Sequence, residues 1–265
     1  MKNAVVTTGS FDGVHIGHKE IIKRINQRAE EIGGESVVVT FHPHPRIVLY
    51  PDQKDLKLLN SIEEKTMLLK STGLNNLIVV NFTVGFSKIS SHEFITSHIV
   101  GDLDAKVLVA SHNHQFGHQR QGDNTFLHEL AEKHDFRIEE IPLQDIEDET
   151  VSSTKIRKAL FQGDIELANS YLGYEYFVTG KISHSDCNLN NTGKNCFDLL
   201  IEDKNKLIPP AGVYDIRLLC ENKTVECKAR INETGDYSIR VEVEQDEKFN
   251  DNFQCIMQFK TKLSD

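Results

Sequence analysis

A ten-residue segment, Gly9-Ser10-Phe11-Asp12-Gly13-Val14-His15-Ile16-Gly17-His18, lies between a short apolar run, Ala4 to Thr8, and a helical repeat of Ile21, Ile22, Ile25, Ala29 and Ile32. A strand, a glycine-rich turn and a helix in that order form the opening half of a parallel β-α-β unit. Gly9, Gly13 and Gly17 let the backbone approach a ligand closely, and the helix start offers unpaired amides and the positive end of its dipole. That combination is an anion site. His15 and His18 fall three residues apart around the helix start, so both imidazoles can reach the phosphates of a nucleotide. The plainer alternative is a tight turn that carries two surface histidines.

The following two-fifths of the chain repeats the same alternation. Ser36 to Phe41 is a β-branched run that stops at His42-Pro43-His44-Pro45, where two prolines forbid regular structure. A helix with Ile62, Met67, Leu68 and Leu69 leads into Asn76 to Phe82, whose Leu77 to Val80 reads as a buried parallel strand. A helix at Ser91 to Ile99 then precedes a strand at Ala105 to Ser111, and a helix at Thr125 to His134 precedes a strand at Arg137 to Pro142. This order predicts a Rossmann-like α/β parallel sheet covered on both faces, with ligands at the carboxyl ends of its strands.

After about residue 175 the period changes to two. Val225, Cys227, Ala229 and Ile231 alternate with Glu226, Lys228 and Arg230, and Ile239, Val241 and Val243 alternate with Arg240, Glu242 and Glu244. Each such strand has one buried face and one wet face. Six runs without intervening helices, from Tyr174 to Leu263, predict a small antiparallel β-barrel. The division expected on this basis is a nucleotidyltransferase-like domain at 1–173 and a barrel at 174–265.

Bulk properties limit the partners. The 265 residues suit two domains, and 38% hydrophobic with 26% charged residues suits a globular protein with a normal core. No apolar run approaches the roughly 20 residues that span a bilayer, and the first residues lack the apolar stretch of a signal peptide, so a cytoplasmic protein without a membrane partner is expected. A net charge of -10 argues against nucleic-acid binding. The five cysteines, Cys187, Cys196, Cys220, Cys227 and Cys255, form no C-x-x-C pair and are expected as free thiols in a core rather than as a redox or metal site.

A second anion site is suggested by Val151-Ser152-Ser153-Thr154-Lys155-Ile156-Arg157. Ser152 or Ser153 can cap a helix carrying Ile156, Ala159 and Leu160, leaving amides and Arg157 for a triphosphate; capping alone is the plainer reading.

Taken together, Gly9 to His18, Thr40 to Pro45, Phe82 with Phe86, Ser90 and Phe94, Phe116-Gly117 with Arg120 and Gly122-Asp123, and Ser152 to Arg157 resemble the prokaryotic bifunctional riboflavin kinase/FAD synthetase family. The likeness is strong to about residue 173 and weak after it. It implies a first domain that transfers AMP from ATP to FMN with a divalent ion such as Mg²⁺, giving FAD and pyrophosphate, and a barrel related to riboflavin kinases. It further implies that Gly9, Ser10, Phe11, Asp12, Gly13 and Gly17, with Ser152, Ser153, Thr154 and Asn113, hold ATP. His15, His18 and Arg157 would act on the phosphates. His42, Pro43, His44 and Pro45, with Phe82 and Phe86, would border the flavin.

Three departures bear on function. Where the family has a glycine, an acid and an arginine, this chain has Ser111, Asn113 and Gln115, removing a charge and a donor of fixed geometry. The family's G-F-P-T-A-N nucleotide motif is missing from Asp186 to Asn195, and Glu242, near the family's kinase base, falls on the wet face. FAD synthesis without riboflavin kinase activity is therefore the expectation. The alternatives are another small phosphate acceptor, or a catalytically weak flavin- or nucleotide-binding regulator.

Overall fold

The computed structural model describes residues 1–53, 56–111, 124–141, 151–184, 194–232, 237–244 and 247–263. The chain divides into two compact units, one of Met1–Leu56 with Lys65–Thr150, the other of Lys57–Glu64 with Val151–Asp265.

The first unit holds a parallel sheet in the order β3-β2-β1-β4-β5, formed by Ala4–Thr8 (β1), Ser36–His42 (β2), Asn76–Asn81 (β3), Ala105–Ser111 (β4) and Arg137–Ile141 (β5). All five residues of β1 are buried, because alternate side chains leave on opposite faces and both faces are covered. Val5 and Val38 face Ile22, Ile25 and Ala29 of helix α1 (Ile16–Glu31). Ala4, Val6 and Val39 share the other face with Leu127 and Leu130 of α5 (Asn124–Lys133) and with Ile95 and Ile99. The strand order reverses direction between β1 and β4, which is where α/β sheets bind ligands.

Three local expectations are corrected. Leu77 to Val80 form a parallel strand, but among the described residues β3 is the sheet edge, and Val79 is 43% exposed. Pro45 does not prevent regular structure. It opens the short helix α2 (Pro45–Leu49), whose first turn needs no proline N–H. The helix expected at Ser91 to Ile99 starts as one turn, α4 (Ser91–Glu93), capped by Ser90, and continues as a π-helix over Phe94–Asp102. Helix α3 (Ile62–Lys70) has its first residues in the second unit and the rest in the first.

In the second unit six strands close a barrel in the order β10-β7-β6-β11-β8-β9. They are Phe177–Ser183 (β6), Lys194–Leu200 (β7), Gly212–Cys220 (β8), Lys223–Ile231 (β9), Ser238–Glu244 (β10) and Gln254–Lys262 (β11). Tyr214, Leu218, Val241 and Phe259 fill its interior from the buried face of each strand. Helices α6 (Ser153–Gln162) and α7 (Ile165–Leu172) end at Gly163 and Gly173, both in the left-handed conformation that suits glycine. Their Ile156, Leu160, Ile165 and Leu172 belong to the barrel's core, so the compact unit begins near residue 151 rather than at 174.

The free-thiol expectation is overturned for three cysteines, Cys196, Cys220 and Cys255. Antiparallel pairing of β8 with β11 sets Leu219 opposite Ile256 and brings the next residue, Cys220, within 4.7 Å (Cα to Cα) of Cys255, with which it forms a disulfide. Cys196 is disulfide-bonded as well. Cys227 is a free thiol, and burial pushes its pKa up to about 12. Cys187 lies outside the described residues. Among the described residues, no helix is long and apolar enough to cross a membrane.

Candidate active site

Seven residues, Gly9 to His15, carry the chain from β1 into α1 at the switch point of the sheet. Such a short connection demands unusual backbone, and Phe11 (φ +45°), Gly13 (φ +91°) and Val14 (φ +36°) all adopt it. At Phe11 and Val14, which carry a Cβ, this stores about 1–3 kcal/mol each. Burial holds them in place, with Phe11 2% and Val14 0% exposed. Gly9 must be small, since a Cβ there would meet the Phe11 ring at 3.1 Å.

His15 is the residue before the first turn of α1, and its side chain caps nothing. Its ring stacks on that of His18 with centroids 3.7 Å apart and 18° between planes, while Phe11 tilts against His18 at 5.0 Å. Both Nδ1 atoms are buried and, among the described residues, without a hydrogen-bond partner. Desolvation lowers the His15 pKa to about 4, against the raising effect of Asp12 and with a smaller lowering from Lys19. Burial, then His15 and Lys65, holds His18 well below its ordinary value. Two uncharged, stacked rings therefore lie beside a strained loop.

Sequence reasoning missed two residues behind the loop. The Ser10 carbonyl accepts a hydrogen bond from Lys65 Nζ at 2.6 Å and another from Thr40 Oγ1 at 3.2 Å. Lys65 is 5% exposed, and burial lowers its pKa while the Asp12 carboxylate opposes that shift. Its signal in the sequence is a lysine on the apolar stripe of α3, three residues after Ile62 and four before the fully buried Leu69.

At the ends of β2 and β3 lies an aromatic cluster. Phe41 meets Phe82 edge-on at 5.7 Å, Phe82 meets Phe86 at 5.6 Å, and Phe86 meets Phe94 at 6.2 Å. The backbone of Phe82 donates to the His42 carbonyl, which ties this cluster to the His42-Pro43-His44-Pro45 turn. His44 is occupied locally, its Nδ1 accepting from the Arg46 N–H as the cap of α2. The structure thus brings His42, Phe82 and Phe86 together.

The other expected phosphate residues belong to the second unit. Ser152 caps α6, its Oγ accepting from the Lys155 N–H at 3.3 Å, and Ser153 and Thr154 form the first turn. Arg157 Nε donates to the Lys57 carbonyl at 2.8 Å. Asn113 lies outside the described residues, as do Ser111's side chain and Gln115.

A bifunctional riboflavin kinase/FMN adenylyltransferase from Listeria monocytogenes is 33% identical over 222 residues, covering 84% of this chain and 70% of that protein. A protein named FAD synthetase from the same organism is 31% identical over 230 residues, covering 84% of this chain and 86% of its own length. The crystal structure of a macrolide-efflux protein from Streptococcus pneumoniae matches with a TM-score of 0.83 at 25% identity, over 100% of this chain and 86% of the other. The sequence profile described as FAD synthetase matches residues 1–155, more than half of the molecule, and the chain belongs to the FAD synthetase family.

Proposed function

We propose that this protein is an FMN adenylyltransferase, transferring AMP from ATP to FMN to give FAD and pyrophosphate. The observation that carries the reading is the stacked pair His15 and His18, each with an unpartnered Nδ1, over the glycine-rich loop at the switch point of the sheet. Family membership supplies the acceptor.

The chemistry suits what these residues offer. An oxygen of the FMN phosphate forms a bond to the α-phosphorus of ATP, and the bond from that phosphorus to the bridging oxygen of pyrophosphate breaks. FMN arrives as an anionic nucleophile, so no covalent enzyme intermediate and no strong base are required. The task is to align two anions and offset charge as it develops on the leaving group. Mg²⁺ bound with ATP would supply further compensation for the charge on the triphosphate. Neutral His15 and His18 each keep one N–H for the transferring phosphate. Gly9, Ser10, Phe11, Asp12, Gly13 and Gly17 form the wall of that site. Phe82 and Phe86, beside His42 and Pro43, offer flat apolar surface to the isoalloxazine ring.

The barrel in this reading does not phosphorylate riboflavin. Loss of the G-F-P-T-A-N motif supports this, as does Glu242, which faces Arg230 across the wet side of the barrel at 3.9 Å. The protein works on small molecules in the cytoplasm, without nucleic acid or membrane. Purified protein given ATP, Mg²⁺ and FMN should release FAD and pyrophosphate, and given riboflavin in place of FMN should release neither FMN nor FAD. Absence of FAD in the first mixture would end the acceptor assignment, and FMN in the second would restore a kinase.

A further inference from the structure

Lys65 lies outside every motif that marks the nucleotide loop, yet it is the ammonium group that the loop's backbone contacts. We propose that Lys65 is a positioning residue for adenylyl transfer, clamping the Ser10 carbonyl so that the Phe11 N–H is held toward the transferring phosphate. The inference rests on the adenylyltransferase reading and adds to it a residue that touches the loop rather than the substrate.

The geometry is that of a brace. The Ser10 carbonyl receives Lys65 Nζ at 2.6 Å and Thr40 Oγ1 at 3.2 Å, which uses both of its lone pairs. In a trans peptide the C=O and the next N–H point in opposite directions, so fixing this carbonyl fixes the Phe11 N–H on the far side. Among the described residues that N–H has no acceptor. Phe11 is also the first loop residue with positive φ, so its peptide plane would relax without something to hold it. Two donors on one carbonyl, a strained residue after it and an unused amide beyond it describe a single device.

A lysine is an expensive choice for mere filling. Burying an ammonium group costs several kcal/mol before compensation. Lys65 is 5% exposed and, among the described residues, has no carboxylate within ion-pair distance, although Asp12 opposes part of its desolvation. Methionine would fill the same linear space without that cost.

Lys65→Met therefore separates the two roles. The variant should fold with a melting temperature no lower than that of the parent. Its kcat for FAD formation should fall about 100-fold, the usual effect of losing one preorganised donor to a transferring group. The dissociation constant for ATP, measured by calorimetry without FMN, should rise about tenfold, as for one hydrogen bond, while KM for FMN stays within about twofold. Thr40→Val should cause a smaller loss, and the double variant should lose less than the product of the two, because both act through one carbonyl. Lys65→Arg, which can still donate to that carbonyl, should recover part of kcat. A Lys65→Met protein with unchanged ATP affinity, or one that fails to fold, would make Lys65 a packing residue and overturn the assignment. If the parent binds ATP but makes no FAD, the acceptor is wrong; the calorimetric comparison then still decides the brace.

Discussion

The ring of His18 offers a buried Nδ1 that no group among the described residues satisfies, and an apolar group would sit in its place at less cost. Replacing His18 with alanine should lower kcat by about 10²–10³, or roughly 2.7–4 kcal/mol of barrier, the range for one donor in a preorganised anion site. ATP affinity should change only a few-fold, because the loop amides remain; full turnover in His18→Ala would remove the pair from the mechanism. His15 makes a second prediction, about pH. Its folded-state pKa of about 4 lies below the ordinary 6.5, so the unfolded chain binds more protons between those values. The stability that the neutral ring contributes is therefore complete above pH 6.5 and is lost as pH falls toward 4, at about 1.4 kcal/mol per unit and roughly 3 kcal/mol in all. Melting curves from pH 7 to 4.5 should fall less steeply for His15→Asn than for the parent, and parallel curves would refute the assignment. These two histidines and their glycines were legible in the sequence because their spacing means little except around a helix start. Lys65 was not, since its meaning depends on which carbonyl the folded helix brings it to.

Helices and strands differ in how openly the sequence announced them. The barrel strands follow from period two, and β9 (Lys223–Ile231) contains the alternating run from Val225 to Ile231. Strand β3 was legible as a parallel strand but not as an edge, because Leu77 to Val80 is apolar whether one neighbour flanks it or two. The cross-strand disulfide was hidden for a related reason: only the register of β8 on β11 brings Cys220 to Cys255. Least legible was the stretch Lys57–Glu64, which belongs to the barrel unit although the whole of Lys65–Thr150 separates it from the rest. Its anchor is an ion pair. Lys206 Nζ donates to Glu64 at 2.6 Å and to the carbonyls of Leu59 and Phe177, while Glu64 also accepts from the Thr179 N–H, and both charged groups are 1% exposed. Lys206→Met would leave the Glu64 carboxylate buried without its cation, a loss of about 3–5 kcal/mol, whereas adding Glu64→Gln should return most of it. Denaturant midpoints followed by circular dichroism test this. Equal losses in the single and double variants would show that the charge pair does not matter to the unit.

At the scale of the whole molecule, the change of period near residue 175 and the division between compact units are different boundaries. The period marks where helices give way to strands. The core marks what folds together, and it unites Leu59 of the inserted stretch, Ile156, Leu160, Ile165 and Leu172 of α6 and α7, and Tyr176, Leu218 and Phe259 of the barrel. A fragment ending at residue 173 would keep those two helices and remove the strands against which their apolar side chains are buried. Fully exposing each such side chain costs about 1.5–3 kcal/mol, so the four of them exceed what two short helices recover from their own hydrogen bonds. The 1–173 fragment should therefore lose helix at α6 and α7, bind a hydrophobic dye and associate in solution. Circular dichroism, dye fluorescence and light scattering on the fragment and the full chain would measure this. A monodisperse 1–173 fragment that retains both helices and binds no dye would mean that the pair folds with the nucleotidyltransferase sheet, and that the boundary read from the period was the physical one.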